Sequence, residues 1–395
     1  MIEIKKIYAA HFLAGCSTIA SVTYTLYFLS HGLSQSQIGQ LFAVFMISLA
    51  ILDIPTGGLS DMFGHKASVV VGLFFHALGS LFFFLFPTLS GFYLGMILSA
   101  LGLALQSGAW SSLMYEILDQ NGVKESYQKV SGRANAYFLA GAVIASPIGA
   151  VLYKLNPPLP YFLAAFFIFL ACVVAFLVKW QFQPKTPSFT SYWQNTKKGV
   201  SLTLANRTLV ALTVIGLTLT LSRLVMNQNL SQPYQLSIGI DVAFIGVVAA
   251  LVAGIQSVIS AFAHRITEKI GTTLSLLMIV ALPSISLLIM SYFHSTWMLG
   301  FLFVFAAAQA YRDPFLGSIT QKEMRSEVRS TMTSTVSFFT TITVGLLLPL
   351  WGLSIDSFGM RSTMQYLALC VFAVGIAGMF FYLRIHQSKT KSFGV

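Results

Sequence analysis

Apolar runs of about 20 residues, the length that crosses a hydrocarbon core, recur along almost the whole chain with short polar breaks between them. They read as spans near 7–30, 37–58, 67–87, 92–117, 131–154 and 159–180, then 206–231, 242–263, 272–292, 296–318, 330–350 and 362–383. Backbone N–H and C=O groups find no partner in lipid, so runs of this length must fold as helices. Composition agrees: 56% of the 395 residues are hydrophobic and only 9% are charged, against about 25% charged in soluble proteins. A soluble fold would lack the polar surface to cover itself. The first run, Ile7 to Leu29, is too long for a signal-peptide core and reads as the first span. The expected fold is an all-α membrane protein of twelve transmembrane helices.

The net charge of +11 follows from topology. With the N-terminus cytoplasmic, all of the Lys and Arg residues except Lys154, Arg361, Arg223 and Arg312 fall in cytoplasmic segments. That is the positive-inside rule, and it places both termini in the cytoplasm of a multi-pass protein of the cytoplasmic (inner) membrane. No basic stripe interleaved with aromatics suggests a nucleic-acid groove, so no nucleic-acid partner is expected. Cys16, Cys172 and Cys370 sit in apolar runs without CxxC spacing and read as packing residues.

The stretch Gln181 to Asn206, with Pro184, Pro187, Lys197 and Lys198, reads as a linker. It divides the chain into a six-helix bundle over 1–180, a cytoplasmic linker over 181–205 and a second bundle over 206–395. The halves repeat. Tyr27-Phe28-Leu29-Ser30-His31-Gly32-Leu33 aligns with Tyr234-Gln235-Leu236-Ser237-Ile238-Gly239-Ile240, Ile38-Gly39 then falls on Ile245-Gly246, and Asp61 and Gly64 fall on Glu268 and Gly271, all at one constant offset. Further on the register slips, and Glu116 meets Asp313 only at a shorter offset.

The segment Gly57-Gly58-Leu59-Ser60-Asp61-Met62-Phe63-Gly64-His65-Lys66 resembles the loop 2–3 signature of the major facilitator superfamily, G-x-L-[AS]-D-x-x-G-[RK]-[RK]. It departs from the pattern at His65, where the family has Arg or Lys. Leu113-Met114-Tyr115-Glu116 followed by Tyr127-Gln128-Lys129-Val130-Ser131-Gly132-Arg133 resembles a largely bacterial branch of that family. The resemblance implies two pseudo-symmetric bundles and a cytoplasmic latch in which Asp61 holds the outward-facing state. Gly57, Gly58 and Gly64 would allow a tight turn and close helix contact. Asp61 would accept hydrogen bonds from a helix N-terminus or from Arg133, Lys66 would set topology, and Asp53 would belong to the gate.

Ionisable groups inside spans are costly and are functional candidates by default. Arg223 lies mid-span, with Asn227 and Ser231 one and two helical turns on; it is held by a carboxylate or binds an anionic group of the substrate. Glu116, Asp53 and Asp313 are the candidates for protonation, with Arg312 beside Asp313 offering a local ion pair instead. Gln106, Trp110, Tyr115, Asn135, Gln309 and Tyr311 either line a central cavity, as the family's first, fourth, seventh and tenth helices do, or bond neighbouring helices. His11 and His76 read as packing residues, and no spacing supports a metal site. There is no G-x-S-x-G, G-x-x-x-x-G-K-[ST] or H-E-x-x-H motif and no segment able to hold ATP, so an enzyme is not expected.

The sequence therefore points to a secondary active transporter with no cofactor, driven by a proton gradient and acting as a monomer on a small-molecule substrate. The leading reading is export of a drug, metabolite or siderophore. Import of an organic anion is the alternative within transport, and a non-transporting receptor or scaffold is the alternative outside it.

Overall fold

The computed structural model describes residues 2–180, 201–203, 205–324 and 329–393, with side-chain surroundings given except at Ile54, Gly57, Asp61, Lys124, Ser330 and 386–393. Among these, nine helices are long and apolar enough to cross a membrane. The linker over 181–205 lies largely outside the described residues.

The first span is broken. Helix α1 (Ile2–Cys16) gives way to two short 3-10 turns and then α2 (Tyr24–Ser30). The hydroxyls of Ser17, Thr18, Ser21 and Thr23 each donate to the carbonyl three residues back, which favours the tighter turn. Helices α3 (Gln35–Phe63) and α4 (His65–Leu85) follow, then α5 (Leu89–Gln106) and α6 (Ala109–Gln120). The single span expected over 92–117 is thus two helices, because Gly108 turns the chain at φ 70°. Next come α7 (Tyr127–Leu155), α8 (Leu159–Phe176), α9 (Arg207–Val225) and α10 (Ser231–Ser237). The remainder is α11 (Val242–Tyr292), broken at Gly271, α12 (Leu299–Lys322), and α13 (Arg329–Phe393), broken at Gly359.

The chain forms two compact units. Unit 1 comprises Met1–Leu33, Gln40–Ser188 and Asp241–Ala250; unit 2 comprises Ser34–Gly39, Phe189–Ile240 and Leu251–Val395. Small residues set the helix spacing in unit 1, as expected where lipid gives no hydrophobic drive between helices. A Cβ on Gly72 of α4 would fall 2.7 Å from the Gly102 carbonyl oxygen of α5, and one on Gly79 would fall 2.6 Å from that of Gly95. The core of this unit joins Ile7 of α1, Leu73 of α4, Leu113 of α6 and Ile168 of α8.

The repeat expected from sequence reappears as backbone geometry. Gly32 and Gly239 both have positive φ, 80° and 87°, and close their helices identically. Gly32 N–H donates to Leu29 and Leu33 N–H to Phe28; Gly239 N–H donates to Leu236 and Ile240 N–H to Gln235. Gly64 and Gly271 likewise share positive φ, 93° and 77°. The aligned pair Gly39 and Gly246 each cross a proline-containing helix. A Cβ on Gly39 would meet Leu348 and lie 2.9 Å from Pro349 Cα within unit 2, and one on Gly246 would meet Ser146 and lie 2.7 Å from Pro147 Cα within unit 1.

The helix starts after these turns are capped differently. In unit 2, Asp356 accepts the N–H groups of Gln35 and Ser36 at 2.9 and 2.8 Å. In unit 1, Asp241 accepts from Ala243 N–H and pairs with Lys154 at 2.6 Å; the ammonium beside it holds its carboxyl below the usual range.

Candidate functional site

The signature segment is more helical than the expected loop. Helix α3 continues through Phe63, and the turn narrows to Gly64, whose N–H closes the helix on Ser60. Nothing between Gly57 and Phe63 breaks a helix, whereas Gly64 adopts a backbone that side-chain-bearing residues rarely take. Gly58 faces open space, so the close helix contact expected there is absent. The Asp61 side chain lies outside the described residues. Asp53 and Arg133 are exposed, and Lys66 places its ammonium 5.3 Å from the Phe176 ring centroid.

The turn is tied down from α6. His65 Nδ1 donates to Glu116 Oε1 at 2.9 Å, with 10% and 22% of the two side chains exposed. Thr56 Oγ1 donates to the Ala104 carbonyl at 3.1 Å, fastening the preceding turn of α3 to α5. His65, the one departure from the family pattern, is therefore the partner of Glu116. Their separation of 51 positions hid this pairing from sequence reasoning.

Above the pair, Trp110 Nε1 donates to Gln106 Oε1 at 3.3 Å, and Gln106 Nε2 donates to the Gly102 carbonyl at 3.0 Å. Trp110 also meets the His11 ring edge-on at 4.4 Å, while His11 bonds the Ile7 carbonyl. Gln106 and Trp110 thus share one face as expected, although α5 and α6 break between them. Tyr115 is exposed and meets Tyr127 edge-on at 5.9 Å; Asn135 is exposed on α7.

Unit 2 fastens its corresponding turn through hydroxyls. The Tyr311 hydroxyl lies 2.8 Å from Thr267 Oγ1 and 2.6 Å from Ser275 Oγ, on either side of Gly271. Tyr311 is buried and satisfied there, in keeping with the helix-bonding alternative weighed from sequence. Tyr311→Phe is expected to lower stability by about 1 kcal/mol, read as a fall in the thermal midpoint of the detergent-solubilised protein.

Three charges meet in unit 2. Arg312, 5% exposed, donates from Nε and Nη2 to Asp313 and from Nη1 to Thr220 Oγ1 at 3.2 Å. Arg223 Nη1 stands 3.8 Å from the other oxygen of Asp313. Asp313 thus makes the local ion pair weighed from sequence and also faces Arg223. Arg312, absent from the sequence-based substrate set, is the most enclosed charge of the three. Its signal was adjacency to Asp313 inside an apolar run. Gln309 is buried and donates to Ser222 Oγ at 3.2 Å.

Asn227 is exposed in a π-helical segment, Met226–Leu230. A π turn takes in one extra residue, so the expected single face through Arg223, Asn227 and Ser231 is broken. Pro233, which has no N–H to return to Asn229, accounts for the wider turn. The Asn229 side chain Nδ2 donates to the Gln35 carbonyl and Oε1 at 3.1 and 3.0 Å.

Arg312 and Asp313 line a cavity of roughly 300 Å³ within unit 2. Thr213, Thr320, Thr333, Ser337 and Thr340 supply hydroxyls to its wall. Among the described residues, no three His, Cys, Asp or Glu side chains gather as a metal ion requires.

Comparison with known proteins places this geometry. The chain is 26% identical over 163 residues to multidrug resistance protein 1 of Bacillus subtilis strain 168, covering 41% of each. It is 25% identical over 166 residues to an uncharacterized MFS-type transporter of Methanocaldococcus jannaschii, covering 42% of each. The matched region thus spans less than half the length of either relative. Its fold matches the crystal structure of the nucleoside transporter NupG with a TM-score of 0.83, at 10% identity, over 97% of this chain and 99% of that one. The Major Facilitator Superfamily model matches residues 7–231, more than half of the chain. With the signature turn, the repeated glycine geometry and the membrane-length helices in place, the chain belongs to the major facilitator superfamily of membrane transporters, not enzymes.

Proposed function

We propose that this transporter is a proton-coupled antiporter of the cytoplasmic membrane that exports a small organic compound by alternating access. In this reading α11 and α13 each supply two spans, divided at Gly271 and Gly359, and twelve spans form six-helix bundles over 1–180 and 206–395 with both termini cytoplasmic. The protein acts as a monomer.

The observation that carries the proposal is the His65–Glu116 pair at the Gly64 turn. Here an imidazole occupies a position where the family pattern carries a permanent cation, and it bonds a carboxylate of another helix. A proton arriving at the pair changes the charge that fastens α4 to α6. Among the described residues, the equivalent turn in unit 2 is fastened by the hydroxyls of Tyr311, Thr267 and Ser275, so the two turns are held by different chemistry. Export is supported by the name of the Bacillus subtilis relative, a multidrug resistance protein.

The test is proton movement in reconstituted vesicles loaded with a pH-sensitive dye and presented with anionic, neutral and cationic fluorescent compounds. At least one class is expected to drive proton counterflow. If compounds move without protons, coupling fails; if none moves, the scaffold reading stands.

A further inference from the structure

We propose that the unit 2 cavity binds a small organic monoanion, a carboxylate or a singly charged phosphate ester, at Arg312, with Arg223 standing outside the cavity wall and joined to the site through Asp313. This rests on the transport reading above and names the class of cargo it would carry.

The charge balance comes first. Two guanidinium groups face one carboxylate, so the cluster carries an excess of one positive charge inside a membrane-embedded unit. The other described acids of unit 2, Glu268, Glu323 and Asp356, are not in the cavity wall. One bound monoanion neutralises the cluster.

The donors are also incompletely used. Arg223 Nε is buried without a hydrogen-bond partner among the described residues, and Arg223 Nη1 stands at 3.8 Å from Asp313, beyond hydrogen-bond length. A guanidinium presents a planar fork that matches the two oxygens of a carboxylate or phosphate. Asp313, with 57% of its side chain exposed, is the most exposed member of the cluster, and Arg312, at 5%, is the most enclosed. An anion entering from the cavity side can take the face of Arg312 that Asp313 now occupies, leaving Asp313 to Arg223.

The wall fixes the rest of the ligand. Its volume lies at the small end of ligand cavities, which run from about 300 to 1,000 Å³. Hydroxyls on α12 and α13 alternate with Leu212, Leu316, Met324 and Val336, so the cavity suits a compact body with one apolar face and a few hydrogen-bonding groups.

The experiment uses three probes of one shape: 2-naphthoate, 2-naphthamide and 2-naphthylmethylammonium, titrated onto the full chain in nanodiscs and read by intrinsic fluorescence. Naphthoate is expected to bind at least about tenfold tighter than the other two. Arg312→Gln and Arg223→Gln should each weaken naphthoate by about tenfold and leave naphthamide within about twofold. If Arg312→Gln fails to stay monodisperse, Arg223→Gln, at the more exposed arginine, carries the test alone. Naphthoate binding no tighter than naphthamide, or unchanged in Arg223→Gln, overturns the proposal. Because binding is read without a gradient, charge-selective binding without proton flux sinks the coupling and keeps the site. Proton-coupled transport with a preference for naphthamide does the reverse.

Discussion

Replacing Gly149 by leucine is expected to abolish recovery of folded protein, read as loss of the monodisperse peak on size exclusion after detergent extraction. A Cβ there would press on the Ile19 carbonyl oxygen and lie 2.8 Å from its carbon. These are backbone atoms and cannot swing away. Overpacking typically costs about 1–3 kcal/mol where side chains can adjust, and more where they cannot. Ile19 sits in the 3-10 segment that bends the first span, so α7 would be levered off a segment it must follow closely. Gly132 is the control, because it lies in the same helix with nothing within 4 Å of its position. Gly132→Ala should leave recovery unchanged or improve it, since alanine favours helix over glycine by about 1 kcal/mol.

The second large effect concerns Glu116. Glu116→Gln is expected to reduce uphill, proton-driven transport by at least about tenfold while substrate exchange across the membrane persists. Glutamine keeps an oxygen that can accept the His65 Nδ1–H, so the 2.9 Å contact and the turn at Gly64 are retained. What it loses is the ability to hold a negative charge or take a proton. Loss of exchange together with uphill transport would instead show that the pair is structural.

Much of this architecture was legible in the sequence for physical reasons. Long apolar runs report helices because lipid leaves the backbone no alternative. Gly32 and Gly239, and Gly64 and Gly271, could be aligned because a positive φ demands glycine, so the constraint survives even when the neighbouring apolar residues have drifted. Side-chain meetings across helices were not legible. His65 looked like a weakened cation until Glu116 appeared beside it. Tyr311 could not be placed between a cavity and a helix contact until Thr267 and Ser275 stood beside its hydroxyl. The slipped register between Glu116 and Asp313 has a counterpart in their surroundings: one pairs with a histidine at a turn, the other with two arginines at a cavity. The face through Arg223, Asn227 and Ser231 failed because a π turn over Met226–Leu230, invisible to a fixed helical period, interrupts it.

The claim that proton coupling runs through the His65–Glu116 pair is tested most directly by the pH profile of transport in His65→Arg. Arginine restores the family's permanent cation and keeps a donor for Glu116, but it does not titrate near neutrality. Measured in proteoliposomes between about pH 5.5 and 8, the wild-type rate should change with pH while the His65→Arg rate stays flat. A His65→Arg profile that overlays the wild type would contradict the account.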